Sequence, residues 1–236
     1  MIAFSRKPAG ADYYEVLERI HTLLKPRTYV EIGIRQGHSF RLARTAVASV
    51  GIDPAPDPNI APLPGARIFQ MTSDEFFARH NLAEELGRRT VDLAFIDGMH
   101  LFEFALRDFA NLERFCGPAS TILVHDCYPL DRVTAARERT TQIWSGDVWK
   151  LIICLKKYRP DLRIATVDVP PTGLGIIRGL NPGSTALASR LDCLSEEFVP
   201  YDYGELEAGK AQQLNRVENK WNEIQTALSA PAFAAK

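Results

Sequence analysis

The chain has 236 residues, 28 Lys and Arg against 29 Asp and Glu, and 46% hydrophobic residues, the composition of an ordinary folded domain. A net charge of −1 supplies no general attraction to phosphate backbones or anionic lipid, so nothing in the charge recruits nucleic acid or a membrane. The longest apolar runs are about five residues, against the ~18 a membrane helix needs, and no apolar stretch of signal-peptide length follows Arg6 and Lys7, so a cytoplasmic protein is expected. The cysteines, Cys116, Cys127, Cys154 and Cys193, form no CxxC pair and read as small buried hydrophobes.

Along the chain, short β-rich runs alternate with helical patterns. A helix is expected over about 12–24, with Tyr14, Leu17, Ile20 and Leu24 on one face, Asp12 and Glu15 at capping-box spacing and Pro26 closing it. A strand over 29–34 follows, then a helix over 38–48 with Phe40, Ala43 and Val47 inward, then a short strand over 50–53. Pro54, Pro56, Pro58, Pro62 and Pro64 forbid a regular helix and mark a loop. A strand over 67–71 leads to a helix opened by Ser73 that presents Phe76, Phe77, Leu82 and Leu86. The run 92–97 is nearly continuous in apolar residues, as a central strand would be. A helix over 101–116 stops at Gly117-Pro118, and a fifth strand covers 121–126. After a long polar loop comes a helix over 147–158, then strands over 164–169 and 174–178. Only Pro170, Pro171, Thr172 and Gly173 separate these two, too few for a crossover helix, so they must form an antiparallel hairpin.

Five βα units and a hairpin define an α/β fold: a doubly wound sheet of seven strands, mostly parallel with a reversed last strand, and helices on both faces. The expected organisation is an N-terminal helix packed on the core (1–27), the sheet domain (28–182) and a C-terminal helical extension (183–236). In that extension Leu214, Val217, Trp221, Ile224 and Leu228 form an apolar seam at helical spacing. It either packs on its own domain or makes a homodimer contact.

Ligands of such sheets bind outside the carboxyl ends of the strands. The residues there are Glu31 to Gly37, Asp53, Ser73, Asp97 to His100, and His125 to Cys127. The pattern Glu31-x-Gly33-x-x-x-Gly37 resembles motif I of class I S-adenosylmethionine (SAM) dependent methyltransferases. There Gly33 and Gly37 would let the backbone approach a bulky ligand, Glu31 would face its cationic methionine end, and Ser39 its carboxylate. Asp53, 20 residues beyond Gly33, can accept both ribose hydroxyls. The pyrophosphate fingerprint GxGxxG is absent, which weighs against a nicotinamide-dependent oxidoreductase.

Downstream, Asp92 to His100, with Ile96-Asp97-Gly98-Met99-His100, resembles a segment of small-molecule O-methyltransferases. That family takes in macrolide-sugar and catechol O-methyltransferase-like enzymes and cephalosporin-hydroxylase-like proteins. Ile122 to Asp126 is similar to its fifth-strand motif, Gly146 to Lys150 to the following helix start, and Pro171 to Gly175 to its hairpin turn. The resemblance implies the Rossmann-like methyltransferase fold, SAM as cofactor, and methyl transfer to a hydroxyl of a small molecule such as a sugar or secondary metabolite. A SAM-binding protein without transferase activity is the alternative. No basic stripe and no Asn/Asp-Pro-Pro-aromatic motif supports nucleic acid as the acceptor.

In the catechol-type relatives two strand-end aspartates hold a divalent cation, Mg²⁺ or Mn²⁺, and the matching residues are Asp97 and Asp126. Cys127 stands where a third ligand, asparagine, is usual, and thiolate is a poor partner for Mg²⁺. A set of Asp97, His125 and Asp126 would suit Mn²⁺, Fe²⁺ or Zn²⁺ better. His100 holds the position of those relatives' general-base lysine, so it would take the hydroxyl proton, with Asp97 and His125 as the other catalytic candidates. Otherwise it caps the next helix or orients Asp97. His21, His38 and His80 read as surface or packing residues, and Trp149 as core or as a wall of the acceptor pocket.

Overall fold

The structure is a computed structural model that describes residues 11–61 and 63–229. Helix α1 (Tyr13–Leu24) begins where expected: the Asp12 side chain accepts from the Glu15 N–H, and Lys25 ends the helix in the left-handed region at φ 46°. Val16, Leu17 and Ile20 are its buried face, while Tyr14 is exposed. Strand β1 (Thr28–Ile32) is buried throughout. The helix expected over 38–48 is a single 3₁₀ turn, Phe40–Ala43, with Phe40 and Ala43 inward and Val47 in solvent. Side chains three apart eclipse in a 3₁₀ turn, so these two suffice to anchor it, and β2 (Ala48–Asp53) starts too soon for a longer helix.

The proline-rich loop has no helix or strand among its described residues, and β3 (Ala66–Gln70) follows. The helix opened by Ser73 is broken in two, α2 (Ser73–Arg79) and α3 (Leu82–Glu85). His80 is extended, and the Asn81 side chain caps the second piece by accepting from the Ala83 N–H. A competing cap outweighs continued periodicity there. Then come β4 (Val91–Ile96), α4 (Phe102–Glu113), β5 (Cys116–His125), α5 (Trp149–Tyr158), β6 (Arg163–Val167) and β7 (Leu174–Arg178). The extension supplies α6 (Leu191–Phe198), α7 (Tyr203–Glu207), α8 (Lys210–Gln213), β8 (Arg216–Val217) and α9 (Trp221–Ser229).

The sheet runs β3-β2-β1-β4-β5-β7-β6-β8. Only β7 is reversed, antiparallel to both β5 and β6, so the hairpin is as the four-residue link requires. The sheet has eight strands rather than seven because β8 joins β6 in parallel register, Val217 opposite Val167. That strand also splits the expected C-terminal seam. Leu214 is buried with the α2–α6 side of the core, whereas Ile224 and Leu228 of α9 are buried with α1 on the opposite face. The seam is therefore packed on its own chain, on two faces of one sheet. Among the described residues no helix is long and apolar enough to cross a membrane.

One ion pair deep in the α4 side joins three elements. Arg159, just past α5, reaches Glu113 at the end of α4 at 2.5 Å, and Glu113 also accepts from the Asn181 N–H beyond β7. Both side chains are almost wholly buried. Arg159 also donates to Asp161, whereas the buried Glu113 carboxylate has no other cation among the described residues. Arg159→Met should therefore cost about 3–5 kcal/mol in denaturant unfolding, and the double variant Glu113→Leu/Arg159→Met should regain most of it. A loss below about 1 kcal/mol in the single variant would mean the pair does not hold these elements together.

Candidate active site

A cavity of about 640 Å³ opens at the carboxyl ends of β1, β2, β4 and β5, beside the switch in strand order between β1 and β4. The loop after β1 forms one wall. Its Gly33 has φ 89°, and a Cβ there would sit 2.1 Å from the Asp97 carbonyl oxygen. The loop crosses the end of β4 so closely that only glycine fits. Gly37, at φ 72°, does not line the cavity; a Cβ there would press on the Ile60 side chain at 2.9 Å.

Glu31 is also set back from the cavity. It is sealed in the interior, where its carboxyl accepts from Tyr29 Oη at 2.6 Å and from Ser39 Oγ at 2.5 Å. Burial pushes its pKa up to about 8 against the pull of those two hydroxyls, so at neutral pH it is chiefly a neutral acid. Ser39 lines the cavity, but its hydroxyl is turned to Glu31 and the turn behind it is only four residues long. Asp53 lines the cavity with its oxygens partly engaged: Oδ2 accepts from the Arg35 N–H and Oδ1 from the Ala55 N–H, both at 2.7 Å. Each oxygen keeps a lone pair. Ser73 lines the same space at the start of α2.

At the β4 and β5 ends the structure gathers Asp97, His100, His125 and Asp126. Asp126 is buried at φ 64°. Its Oδ2 lies 2.8 Å from His100 Nδ1 and 3.4 Å from His125 Nδ1, and its Oδ1 accepts from Thr172 Oγ1. His125 Nδ1 is also 3.1 Å from Asp97 Oδ1, and its ring stacks on Tyr13 with centroids 4.1 Å apart. Burial alone would raise the Asp126 pKa, but the His125 charge and the His100 hydrogen bond hold it well below the usual carboxylate range. Conversely, burial works against the charge on His125, yet Asp126 and Asp97 together raise its pKa well above the ordinary imidazole value. His100 is raised too, since Asp126 outweighs its burial.

His100 is fixed from several sides. It sits at φ 49°, its Nδ1 also lies 3.1 Å from the Trp144 carbonyl, and its ring lies parallel to that of Trp144 at 5.2 Å. Trp144 belongs to the long loop before α5. Arg137 of that loop is clamped to Glu103 and Asp147, and Asp147 in turn accepts from the Phe102 N–H that opens α4. Tyr13 and Trp144 carried no motif in the sequence and reach the site only through tertiary packing, and Thr172 lay in the Pro171–Gly175 turn motif without a role assigned to it. Trp149 is core, edge-on to Tyr201 and Tyr203. His21 is also buried, its pKa lowered to about 4 by burial and by Arg44.

Donor atoms of Asp97, His100 and Asp126 all lie within 4.8 Å of one another, the spacing of a cation site. His100 thus joins the two aspartates, while His125 lies against the same carboxylates. Cys127 is excluded by geometry: its Sγ–H points back to the Val124 carbonyl in the core, where burial pushes the thiol pKa up.

A family model described as a methyltransferase domain matches residues 30–127, from β1 to just past the Asp126 cluster. The fold recurs in solved structures. The O-methyltransferase of Bacillus cereus in complex with S-adenosylhomocysteine (SAH) is 12% identical over 75% of this chain and 83% of its own, with a TM-score of 0.52. TomG from Streptomyces achromogenes, an O-methyltransferase involved in tomaymycin synthesis and bound to SAM, is 16% identical over 70% and 78%, with a TM-score of 0.52. At such identities the likeness is one of fold. No curated protein gives a significant match.

The crossing of the loop after β1 over β4 makes a stability test. Gly33→Ala combines a left-handed backbone with a clash against the Asp97 carbonyl. It should lose at least about 1–2 kcal/mol from backbone conformation alone, seen as a lowered melting temperature. An unchanged melting temperature would show that the loop does not cross so tightly.

Proposed function

We propose that the chain is a SAM-dependent O-methyltransferase acting on a hydroxyl of a small molecule, such as a sugar or secondary metabolite. The observation that carries this reading is that Asp53 and the Gly33 loop share one cavity with an imidazole aligned by a buried carboxylate. The residues present fit the cofactor. Gly33 permits close backbone approach, Asp53 keeps lone pairs for ribose hydroxyls, and the methyltransferase-domain match spans both. Glu31 supports the loop from behind rather than meeting the ligand's charge. When bound, SAM supplies an electrophilic methyl group on a sulfonium.

An aliphatic hydroxyl is a weak nucleophile at neutral pH, so a group on the protein must take its proton. His100 suits this role. Its Nδ1–H donates to Asp126, which leaves the Nε2 lone pair as proton acceptor, and Asp126 stabilises the imidazolium that forms. Thr172 holds Asp126 in turn. His125 cannot serve equally, because the paired aspartates favour its charged form and Tyr13 covers its ring. The rings of Tyr13, Tyr14 and Trp144 line the same cavity and would exclude water around the acceptor.

The spacing of Asp97, His100 and Asp126 favours a second reading, in which these residues hold a divalent cation. Two carboxylates and an imidazole suit Mn²⁺, Fe²⁺ or Zn²⁺ better than Mg²⁺. A bound cation would lower the pKa of the acceptor hydroxyl, and His100 would be a ligand rather than the base.

Isothermal titration should show SAM and SAH binding and no binding of NAD; tight NAD binding without SAM binding would overturn the assignment. With SAH release measured over a panel of hydroxylated acceptors, His100→Gln should lower turnover ~10²–10⁴-fold and leave SAM affinity near wild type. Because the neutral imidazole is the active form and Asp126 raises its pKa, wild-type activity should climb with pH through a midpoint above the ordinary ~6.5. Activity that survives excess chelator supports His100 as the base. Activity lost to chelator and restored by Mn²⁺, together with loss of metal binding in Asp126→Ala, supports the cation.

A further inference from the structure

Among the acidic and basic side chains that line the cavity outside the acid–imidazole cluster and the ribose site, only Asp108 is buried. Asp108 lies on α4, one turn beyond Phe104, and is only 3% exposed. Its small open surface faces the cavity. It sits beside Gly98, the residue after Asp97, where a Cβ would lie 3.7 Å from Asp108 Oδ2. Its polar neighbour is Ser73 in the first turn of α2. The nearby Arg107 guanidinium is engaged elsewhere, donating to both oxygens of Asp74. A carboxyl buried with so little company is costly unless a ligand completes its hydrogen bonding.

What such a ligand offers can be read from the surroundings. Asp53, the ribose candidate, is followed directly by Pro54, and Pro54, Ser73, Met99, Phe104 and Asp108 all line this cavity. Flat or apolar side chains around the pair of Ser73 and the buried Asp108, with Thr72 and Asp74 next to Ser73, suit a heteroaromatic ring with a hydrogen-bonding edge. Adenine has such an edge: the amino group N6 donates and the adjacent ring nitrogen N1 accepts. A neutral carboxyl is complementary to it, with one oxygen accepting and the other donating through its proton.

We propose that Asp108, with Ser73 beside it, reads the adenine edge of the cofactor, its carbonyl oxygen accepting from N6 and its hydroxyl donating to N1. The inference rests on the SAM reading given above and names the residue that makes the site selective for an adenine nucleoside. Burial pushes the Asp108 pKa up to about 7 against the pull of Ser73, so the neutral form is available near neutral pH. The same carboxyl on an exposed helix face would be ionised there and could only accept.

The test is titration calorimetry of the apoprotein with SAH and two analogues of it, one lacking the 6-amino group and one with N1 replaced by C–H. Wild type should bind SAH roughly 10–100-fold more tightly than either analogue. Asp108→Leu should bind all three alike, at about the analogues' affinity. Asp108→Asn, whose amide can also accept and donate, should keep the preference for SAH. Equal binding of SAH and the analogues by wild type would overturn the proposal without need of any variant, as would undiminished selectivity in a folded Asp108→Leu. Wild type that binds none of the three would instead bring down the cofactor reading itself.

Discussion

The candidate site depends on a single buried charge. Asp126 follows the end of β5 in a left-handed conformation, only 2% exposed, and stays ionised because its neighbours compensate it. Those neighbours come from separate parts of the chain. His100 arrives from the β4 end, His125 from β5, and Thr172 from the turn of the β6–β7 hairpin. Each is then held by a further element: Tyr13 of α1 stacks on His125, and Trp144 of the long loop stacks on His100. A carboxylate removed from water costs several kcal/mol unless it is paired and hydrogen-bonded. Satisfying this one draws the hairpin, the first helix and the loop before α5 to the same corner of the sheet.

That requirement explains why the reversed strand matters beyond topology. The β6–β7 turn lands beside the carboxyl end of β5 because β7 runs antiparallel to β5, with Leu174 opposite His125. A parallel final strand would have started at the opposite edge and left Asp126 Oδ1 without the Thr172 hydroxyl. The Arg137 clamp to Glu103 and Asp147 performs the equivalent task for the loop, tying it to the start of α4.

Much of this was legible in the sequence, for identifiable reasons. The strands of the sheet centre are long apolar runs, and the hairpin followed from a link too short for any other connection. Acids and imidazoles at successive strand ends marked the site because regular structure has no need of them there. What was illegible depends on partners far away in sequence. The turn Phe40–Ala43 has the apolar spacing of a helix but lacks the room, and β8 is two residues long, too short to show a period. Glu31 looked available to a ligand, since its sequence position is right. Only the fold shows Tyr29 and Ser39 enclosing it. Trp144 and Thr172 lie in segments whose composition says only loop and turn.

The short strand β8 has a consequence for how the molecule meets others of its kind. On that side of the sheet, β6 would present an open row of backbone groups. Instead the Thr166 N–H donates to the Asn215 carbonyl, the Asp168 N–H to the Val217 carbonyl, and Asn215 Nδ2 to the Ile164 carbonyl. Arg216 adds an ion pair to Asp168 on the outside. An uncovered, regular strand edge is a template on which another chain can add a strand, the first step toward aggregation. The extension thus closes the sheet with two residues of strand, an amide side chain and a charged rim, a border too short and too charged for a foreign strand to extend.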